Sequence, residues 1–358
     1  MIHGTWLIRL PIVEDELLSS WLARNSFAHG MSAPRFCGLI NPGREIWARD
    51  LDASISSRSL EMLSLKSEVP LRRLEHSTFR RFSRISKSFL RPISVYHRTR
   101  RGHGLQYCPA CLGETAAFTR RWRWSFSTDC LRHGCQLYDR CPECLSPAVA
   151  HRGLARNIAR CNQCGFPLSQ ANEVPSTQPP TQTQQDLETA MSKIELSSDH
   201  CPAAQEYVHA VHILITVLIG SGAIYRAAKI LEEAGEIPRP IISFDLAGNR
   251  TRRNTFSLVD RLLCGPPCEI ASVWTQLGLT QRSFRKTARP GFLSRAIMLL
   301  PPGIARKRPR PPLRIYGARM KKLRSSTPFD YVRQRSLVLT CPKPVGPPPN
   351  LSRQSSAC

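Results

Sequence analysis

The sequence predicts a mainly α-helical fold with two small zinc-finger modules built from short β-hairpin knuckles, helix-turn-helix elements, and a disordered basic, proline-rich tail. Three observations predict it: apolar residues at helical spacing, paired cysteine and histidine motifs, and a basic, proline-rich C-terminal end. The predicted divisions are residues 1–105 (helical), 106–170 (tandem zinc fingers), 171–185 (linker), 186–300 (helical) and 301–358 (tail).

The charge balance predicts a polyanionic partner. The 358 residues include 51 Lys and Arg against 26 Asp and Glu, a formal charge of +25. Such an excess is typical of proteins that bind nucleic acid or an anionic membrane surface. A hydrophobic share of 41% excludes a wholly disordered polycation. Residues 271–358 carry 18 basic residues and one acid, whereas the first 270 residues carry 33 and 25, so most of the excess lies at the C-terminal end.

The sequence also predicts a cytoplasmic protein. No apolar run approaches the roughly 20 residues that span a bilayer, so we expect no membrane partner. The early acids Glu14, Asp15 and Glu16 argue against a signal peptide. In the cytoplasm the 14 cysteines are expected to bind metal more often than to form disulfides.

Helical periodicity appears in three places. Residues 11–30 predict an amphipathic helix that ends at Gly30, and residues 186–237 predict helices that pack in a core. Residues 269–292 predict a helix-turn-helix whose second helix would enter the major groove. The alternative there is an ordinary helical hairpin. The groove-facing candidates are Thr280 (the expected N-cap), Gln281, Arg282, Arg285 and Lys286.

Two further segments are rich in basic and aromatic residues. In residues 76–113 the candidates for phosphate contact are Arg80, Arg81 and Arg84, interleaved with phenylalanines that could stack on bases. The alternative is a solvated helix face with its aromatic residues in the core. In residues 120–124 alternation predicts Trp122 and Trp124 on one face, packing the zinc module, and Arg120, Arg121 and Arg123 on the other face, contacting phosphate.

The strongest chemical signal is a pair of four-ligand motifs. Two knuckles separated by 15–20 residues bring four ligands to one tetrahedral ion, and a closed four-ligand site is structural. Eighteen residues separate the knuckles of the first pair and sixteen those of the second, which predicts two structural zinc ions. Iron and disulfides are the alternatives. The predicted ligands are Cys108, Cys111, Cys130 and His133 for the first ion, and Cys141, Cys144, Cys161 and Cys164 for the second.

The other cysteines have no matching partners. Cys135 lies out of register between the ligand pairs and is expected to be a spare thiol. Cys264 and Cys268 could imitate a knuckle, but no second pair follows them. The sequence also has no HExxH, no P-loop and no Gly-rich dinucleotide loop, which disfavours an enzyme. A metalloenzyme would need a zinc ion with a water ligand.

These motifs resemble those of the TniQ proteins of bacterial transposons, which are related to the N-terminal part of the TnsD target selectors. The resemblance covers about residues 6–168. It rests on Pro11, Asp15, Glu16, Leu18, Ser20, Trp21, Leu22, Arg24 and Gly30, on Tyr107 to Cys144, which contains the first metal motif and the first knuckle of the second, and on the closing Cys161-x-x-Cys164-Gly165. The sequence departs from the family after Gly303, where a disordered cationic tail and a frameshifted or truncated end are both consistent with the composition.

The resemblance implies a helical protein with helix-turn-helix elements and two zinc fingers, and a non-enzymatic role in transposition. Such proteins help to choose the DNA insertion site and recruit the transposon's ATPase and transposase. Some form homodimers, and some attach to guide-RNA effector complexes. A bacterial, nucleoid-associated location is implied. The alternative function is a zinc-containing helix-turn-helix transcriptional regulator.

Overall fold

The fold is predominantly helical, as the sequence predicts. The computed structural model describes residues 4–40, 46–84, 86–93, 104–153, 156–176, 179–197, 201–230, 237, 241, 243–284 and 291–303. Within these residues, helices surround a small antiparallel hairpin, β1 (Asp129–Cys130) and β2 (Cys135–Gln136). The helices are α1 (Leu18–Ala28), α2 (Ala33–Ile40), α3 (Leu51–Ser54), α4 (Ser57–Ser67), α5 (Leu71–His76), α6 (Pro109–Thr115), α7 (Gln182–Leu196), α8 (Pro202–Gly220), α9 (Ala223–Ile230), α10 (Asn249–Leu263), α11 (Pro267–Gln276) and α12 (Gly291–Met298).

Helix α1 confirms the predicted N-terminal helix but begins only at Leu18. The preceding residues are not helical because Asp15 has a left-handed φ of 54° and Glu16 forms an antiparallel bridge with Thr119. After the helix, Gly30 supplies the φ of 69° that ends it, as predicted. Asp15 and Glu16 therefore contact the region of the first metal motif instead of forming the first turn of the helix.

Two hydrophobic clusters form the core. The smaller one lies in the N-terminal region and includes Trp21, Phe36 and Leu60. The larger one includes residues on the opposite side of α1, both metal-motif regions and helices α7 to α12. Residues 1–304 accordingly form one compact unit, in which the motif regions and the helices share a core.

Helix α7 begins at Gln182, inside the segment 171–185 that the composition predicts to be a linker. A capping box explains this start, because the Thr181 hydroxyl accepts from the Gln184 N–H while the Gln184 side chain accepts from the Thr181 N–H. The Gln184 amide also donates to the Phe126 carbonyl at 2.7 Å. This end of the segment is therefore tied to the region of the first metal motif.

Helix α8 is the apolar helix of the core. By length and composition it could cross a membrane, and among the described residues it is the one helix that passes this test. Its residues Val211, Leu214 and Leu218 are fully buried, and the helix contacts α7, α9 and α10. Burial inside the protein accounts for its composition.

The predicted helix-turn-helix is present only in part. Helix α11 and a turn with Gly278 at φ 70° match the prediction. The segment that Thr280 was expected to cap is instead a short 3-10 helix, Gln281–Phe284, and the next described element is α12. Phe284 stacks on Trp274 at 5.5 Å, so apolar packing holds the 3-10 helix against α11. Arg285 and Lys286 lie outside the described residues, as does the tail from residue 304 onward.

A buried ion-pair network joins distant parts of the unit. Arg123, whose side chain is 2% exposed, pairs with Asp52 at 3.2 Å and with Asp50 at 2.5 Å. Asp52 also accepts hydrogen bonds from the backbone N–H and the hydroxyl of Ser19 in α1. Burial raises the pKa of Asp52 to about 6, against the opposing effect of the Arg123 charge. One guanidinium thus connects the segment before β1 to α1 and to the start of α3.

We expect Arg123→Ala to destabilise the protein by about 3–5 kcal/mol, because it leaves the buried Asp52 and the partly exposed Asp50 without their counter-charge. Arg9→Ala is the control, since Arg9 forms a solvent-exposed pair with Glu68, and its loss should cost about 1 kcal/mol or less. Urea denaturation of both variants measures the difference. Equal stabilities of the two variants would contradict the assigned role of Arg123.

Candidate metal centres

The first cluster forms where α6 meets the β1–β2 hairpin. Cys108 lies at the N-cap position of α6, Cys111 lies in its first turn, and Cys130 and His133 come from the hairpin. The Nδ1 atom of His133 is 3.5, 3.2 and 3.5 Å from the Sγ atoms of Cys108, Cys111 and Cys130. The four donor atoms lie within 4.8 Å of one another. Gly134 takes the left-handed φ of 60° that closes the turn after His133.

The donor set and its surroundings fit zinc. Thiolates about 2.3 Å from a tetrahedral zinc ion are themselves about 3.8 Å apart, and the Sγ atoms of Cys111 and Cys130 are 3.6 Å apart. The Nε2 atom of His133 lies 3.2 Å from a Glu114 oxygen, a common outer contact of a metal-bound histidine. A side-chain hydrogen bond with Cys108, helped by the backbone of His133, lowers the pKa of Cys130 to about 4. All three cysteines of this set must be thiolates to bind a metal, so bonds to the ion would replace this hydrogen bond.

The second cluster consists of two knuckles with the same hydrogen bonds. In the first knuckle the Cys141 N–H donates to the Ser146 carbonyl and the Leu145 N–H donates to the Cys141 carbonyl. The second knuckle repeats both bonds with Cys161, Gly165 and Phe166 in the equivalent places. The arginine before each knuckle also repeats: Arg140 donates to the Leu145 carbonyl at 3.0 Å, and Arg160 donates to the Gly165 carbonyl at 3.1 Å.

The four sulfurs of the second cluster also lie at ligand distances. Cys141 and Cys164 are 3.7 Å apart, and Cys144 and Cys161 are 3.6 Å apart. Burial acts to raise the pKa of Cys144, but hydrogen bonds from Ser146 outweigh it and lower that pKa to about 6. The structure thus brings together both predicted sets, each of which could hold a metal ion and is compatible with zinc.

The two knuckles carry different residues after the second cysteine, Leu145 in the first and Gly165 in the second. The position after the second cysteine is left-handed in both, with φ of 77° at Gly165 and 57° at Leu145. Glycine adopts this conformation readily, whereas a leucine there costs about 1–2 kcal/mol. Leu145 is also 66% exposed, so burial of its side chain does not offset the cost.

Cys135 is closer to the first cluster than the motif spacing suggests. Its side chain is 1% exposed, and its Sγ lies 3.5 Å from that of Cys108. Of the remaining cysteines, Cys37 is buried, while Cys264 and Cys268 are exposed. Among the described residues none of these three belongs to a metal-compatible cluster.

The arginines of residues 120–123 are paired inside the protein. Arg120 pairs with Asp15 at 2.9 Å and Glu195 at 2.6 Å, and Arg121 pairs with Glu188. Arg123 is buried between two aspartates, as described above. Acids from distant parts of the chain neutralise all three, and the burial of Arg120 and Arg123 argues against the expected phosphate contact for these two. For the partly exposed Arg121 the expected phosphate contact stays a prediction.

The alternation expected in this segment is also wrong, because Arg121–Arg123 form a 3-10 helix. Trp122 and Trp124, at 4% and 7% exposure, both pack in the larger core cluster. The expectation that the tryptophans pack the module is confirmed. Periodicity could not have shown the burial of the neighbouring arginines, since their partners are far away in the sequence.

The basic stretch after α5 is more accessible. Arg84 is exposed, Arg81 forms a surface pair with Glu75, and Arg80 donates to the Ser57 hydroxyl. The interleaved Phe79, Phe82 and Phe89 are buried, so the core interpretation is correct for them. Arg91, farther along, is also buried and pairs with Asp139.

The residues predicted to face the major groove are also partly exposed and partly engaged in contacts within the protein. Arg282 is exposed. Thr280 and Gln281 are half-buried, and the Gln281 amide donates to the carbonyls of Met298 and Leu300 at the end of α12.

Several N-terminal polar residues make structural contacts that the sequence pattern did not indicate. Glu16 is buried just before α1. Its carboxylate accepts hydrogen bonds from the Arg24 guanidinium, the Ser20 hydroxyl and the Val13 N–H. The Ser20 hydroxyl in turn accepts from the Phe118 N–H. These residues form a motif in the sequence, but only their contacts show that the motif attaches α1 to the first metal region.

Comparison with known proteins gives one finding. The TniQ family model matches residues 7–137, about a third of the chain, which contains α1 to α6 and the whole first cluster. No curated protein matches the chain. The match is consistent with a TniQ family transposition protein, and such a domain is an accessory of transposition and generally non-catalytic.

We expect Cys111→Ser to reduce the zinc content from two ions per chain to one and to unfold the first metal region. Metal-binding energy in small zinc modules is also folding energy, on the order of 10 kcal/mol. Cys264→Ser is the control, because Cys264 is exposed and outside both clusters. Elemental analysis measures the content, and two ions retained in Cys111→Ser would refute the ligand assignment.

We expect Leu145→Gly to stabilise the second metal region by about 1 kcal/mol, because glycine relieves the left-handed strain. The reciprocal change Gly165→Leu should destabilise the protein by about 1–2 kcal/mol, since it introduces the same strain in the matching knuckle. Thermal denaturation of the zinc-loaded proteins measures both. A lower melting temperature for Leu145→Gly than for the unaltered chain would contradict the strain.

Proposed function

We propose that this chain, a transposition-associated protein by its TniQ domain, helps to select the DNA insertion site and recruits the transposon's ATPase and transposase. The match over residues 7–137 is the observation that carries the proposal. In this role the protein acts on the bacterial nucleoid as an adaptor and performs no chemistry itself.

The metal clusters support an adaptor role. Each offers four cysteine or histidine donors, which complete a tetrahedral zinc site and leave no position for a reacting water. We propose that Cys108, Cys111, Cys130 and His133 hold one zinc ion and that Cys141, Cys144, Cys161 and Cys164 hold the other. The ions would then stabilise the fold, which fits both clusters' places beside or within the larger core cluster.

We propose that DNA phosphates are contacted by Arg80, Arg81 and Arg84. These arginines lie at the surface, and the buried Phe79 and Phe82 fix their backbone. The exposed Arg282 is a second candidate contact, with Thr280 and Gln281 beside it. The buried arginines Arg120 and Arg123 are not part of this proposal.

The decisive experiment reconstitutes insertion with the transposase, the ATPase and target DNA, with and without this chain. We expect the chain to bring the ATPase to DNA and to direct insertion to a preferred site. Insertion that is indifferent to the chain would overturn the proposal.

Footprinting without transposase tests the regulator alternative, which requires a preferred duplex site and changed transcription. Repeating the assay with a guide-RNA effector complex, and measuring the mass of the chain in solution, tests the remaining partners.

The DNA contacts have their own prediction. The slope of log K against log salt is negative, and each lost phosphate contact reduces its magnitude by about 0.9. We therefore expect the double change Arg80→Gln and Arg84→Gln to reduce the magnitude of the slope by roughly 2. Arg35→Gln, an exposed arginine in α2, should leave the slope unchanged. Fluorescence anisotropy at several salt concentrations measures it, and identical slopes for all three proteins would exclude these contacts.

A further inference from the structure

Cys135 is a fifth sulfur at the first metal cluster. Its Sγ contacts that of Cys108 at 3.5 Å, within the range of a sulfur–sulfur hydrogen bond. It is not one of the four donors that lie within 4.8 Å of one another. Cys135 is therefore next to a proposed ligand without completing the tetrahedron itself.

The backbone holds Cys135 in this position from both sides. On one side it is the direct partner of Cys130 in the β1–β2 hairpin. On the other side it forms an antiparallel bridge with Pro175. The N–H groups of Gln136 and Ser176 complete this second pairing, each with a 2.8 Å bond across the strands. The backbone at Cys135 is consequently held in place, and its buried side chain lies against Cys108.

The direction of the hydrogen bond follows from the chemistry of the ligand. Cys108 must be a thiolate to bind a metal, so it can only accept. The proton between the two sulfurs then belongs to Cys135. Three thiolates and a neutral imidazole around Zn²⁺ leave one net negative charge, and Cys108, which bears part of it, is completely buried. A donor aimed at that sulfur stabilises charge that water cannot reach.

We propose that Cys135 is a positioning residue of the first metal centre, whose S–H donates to the Cys108 thiolate and strengthens metal binding without ligating the ion. Loss of such an outer contact typically lowers metal affinity about 10–100-fold. The inference rests on the proposed ligands of the first centre and is independent of the proposed role in transposition. A failure of either can therefore be distinguished from a failure of the other.

The test uses the full-length protein with Cys135→Ala, Cys135→Ser and the control Cys37→Ala. Cys37 is an equally buried thiol outside both clusters, so its variant measures the effect of removing a core sulfur. Zinc affinity is measured by competition with a chelating dye, and the thiolate environment by the sulfur-to-cobalt absorption of the Co²⁺-loaded protein. We expect Cys135→Ala to retain two ions per chain, bind one of them about 10–100-fold more weakly, and shift the cobalt band. Cys135→Ser keeps a donor and should stay closer to the unaltered chain.

Two results would overturn the proposal. The first is an affinity and a cobalt spectrum of Cys135→Ala equal to those of Cys37→Ala. The second is the loss of one ion per chain in Cys135→Ala, because Cys135 would then be a ligand itself. If Cys135→Ala does not fold, the cobalt spectrum of Cys135→Val, which lacks a donor but keeps more of the side-chain volume, decides: a shifted band supports the hydrogen bond, and an unchanged band excludes it.

Discussion

The guanidinium of Arg123, buried between Asp50 and Asp52, is the interaction on which the rest of the structure depends. Arg120, three residues earlier, adds further ion pairs, because it pairs with Asp15 and with a glutamate of α7. One short segment thus connects the approach to α1, the start of α3 and the C-terminal helices. Removing either side of a buried pair leaves an uncompensated charge in the core. The ion pairs therefore hold this segment in place. It lies in the sequence between the two knuckles of the first metal cluster, so it also helps to position them.

The metal clusters are accordingly part of the core and not appendages to it. The sulfurs of Cys108, Cys130, Cys141 and Cys161 belong to the same buried cluster as the apolar residues of α7 and α8. An ion at each site would crosslink residues that are far apart in the chain, with Cys135 adding a donor to one ligand. Metal binding in such a place stabilises the surrounding helices as well as the knuckles.

The net charge of the sequence is a poor guide to which basic residues are accessible at the surface. Several arginines, among them Arg91, Arg123 and Arg252, are buried and bonded inside the protein. Other arginines of the described residues are exposed, Arg84 and Arg282 among them. An internal guanidinium contributes to the net charge, but it does not release counterions from DNA.

The metal motifs could be recognised from their spacing because ligand geometry is local: a knuckle turns within a few residues, and two knuckles complete one tetrahedron. Helical periodicity is equally local and located α1, α7 to α9 and α11. Local patterns could not show that Arg123 is buried, since its partner Asp52 lies 71 residues away. Nor could they show that Cys135 contacts Cys108, that Leu145 is left-handed, or that the residues after Thr280 form a 3-10 helix. The contacts of Arg123 and Cys135 depend on which distant side chains the folded core brings together, and a basic or apolar pattern is the same whether its residue faces water or a buried partner.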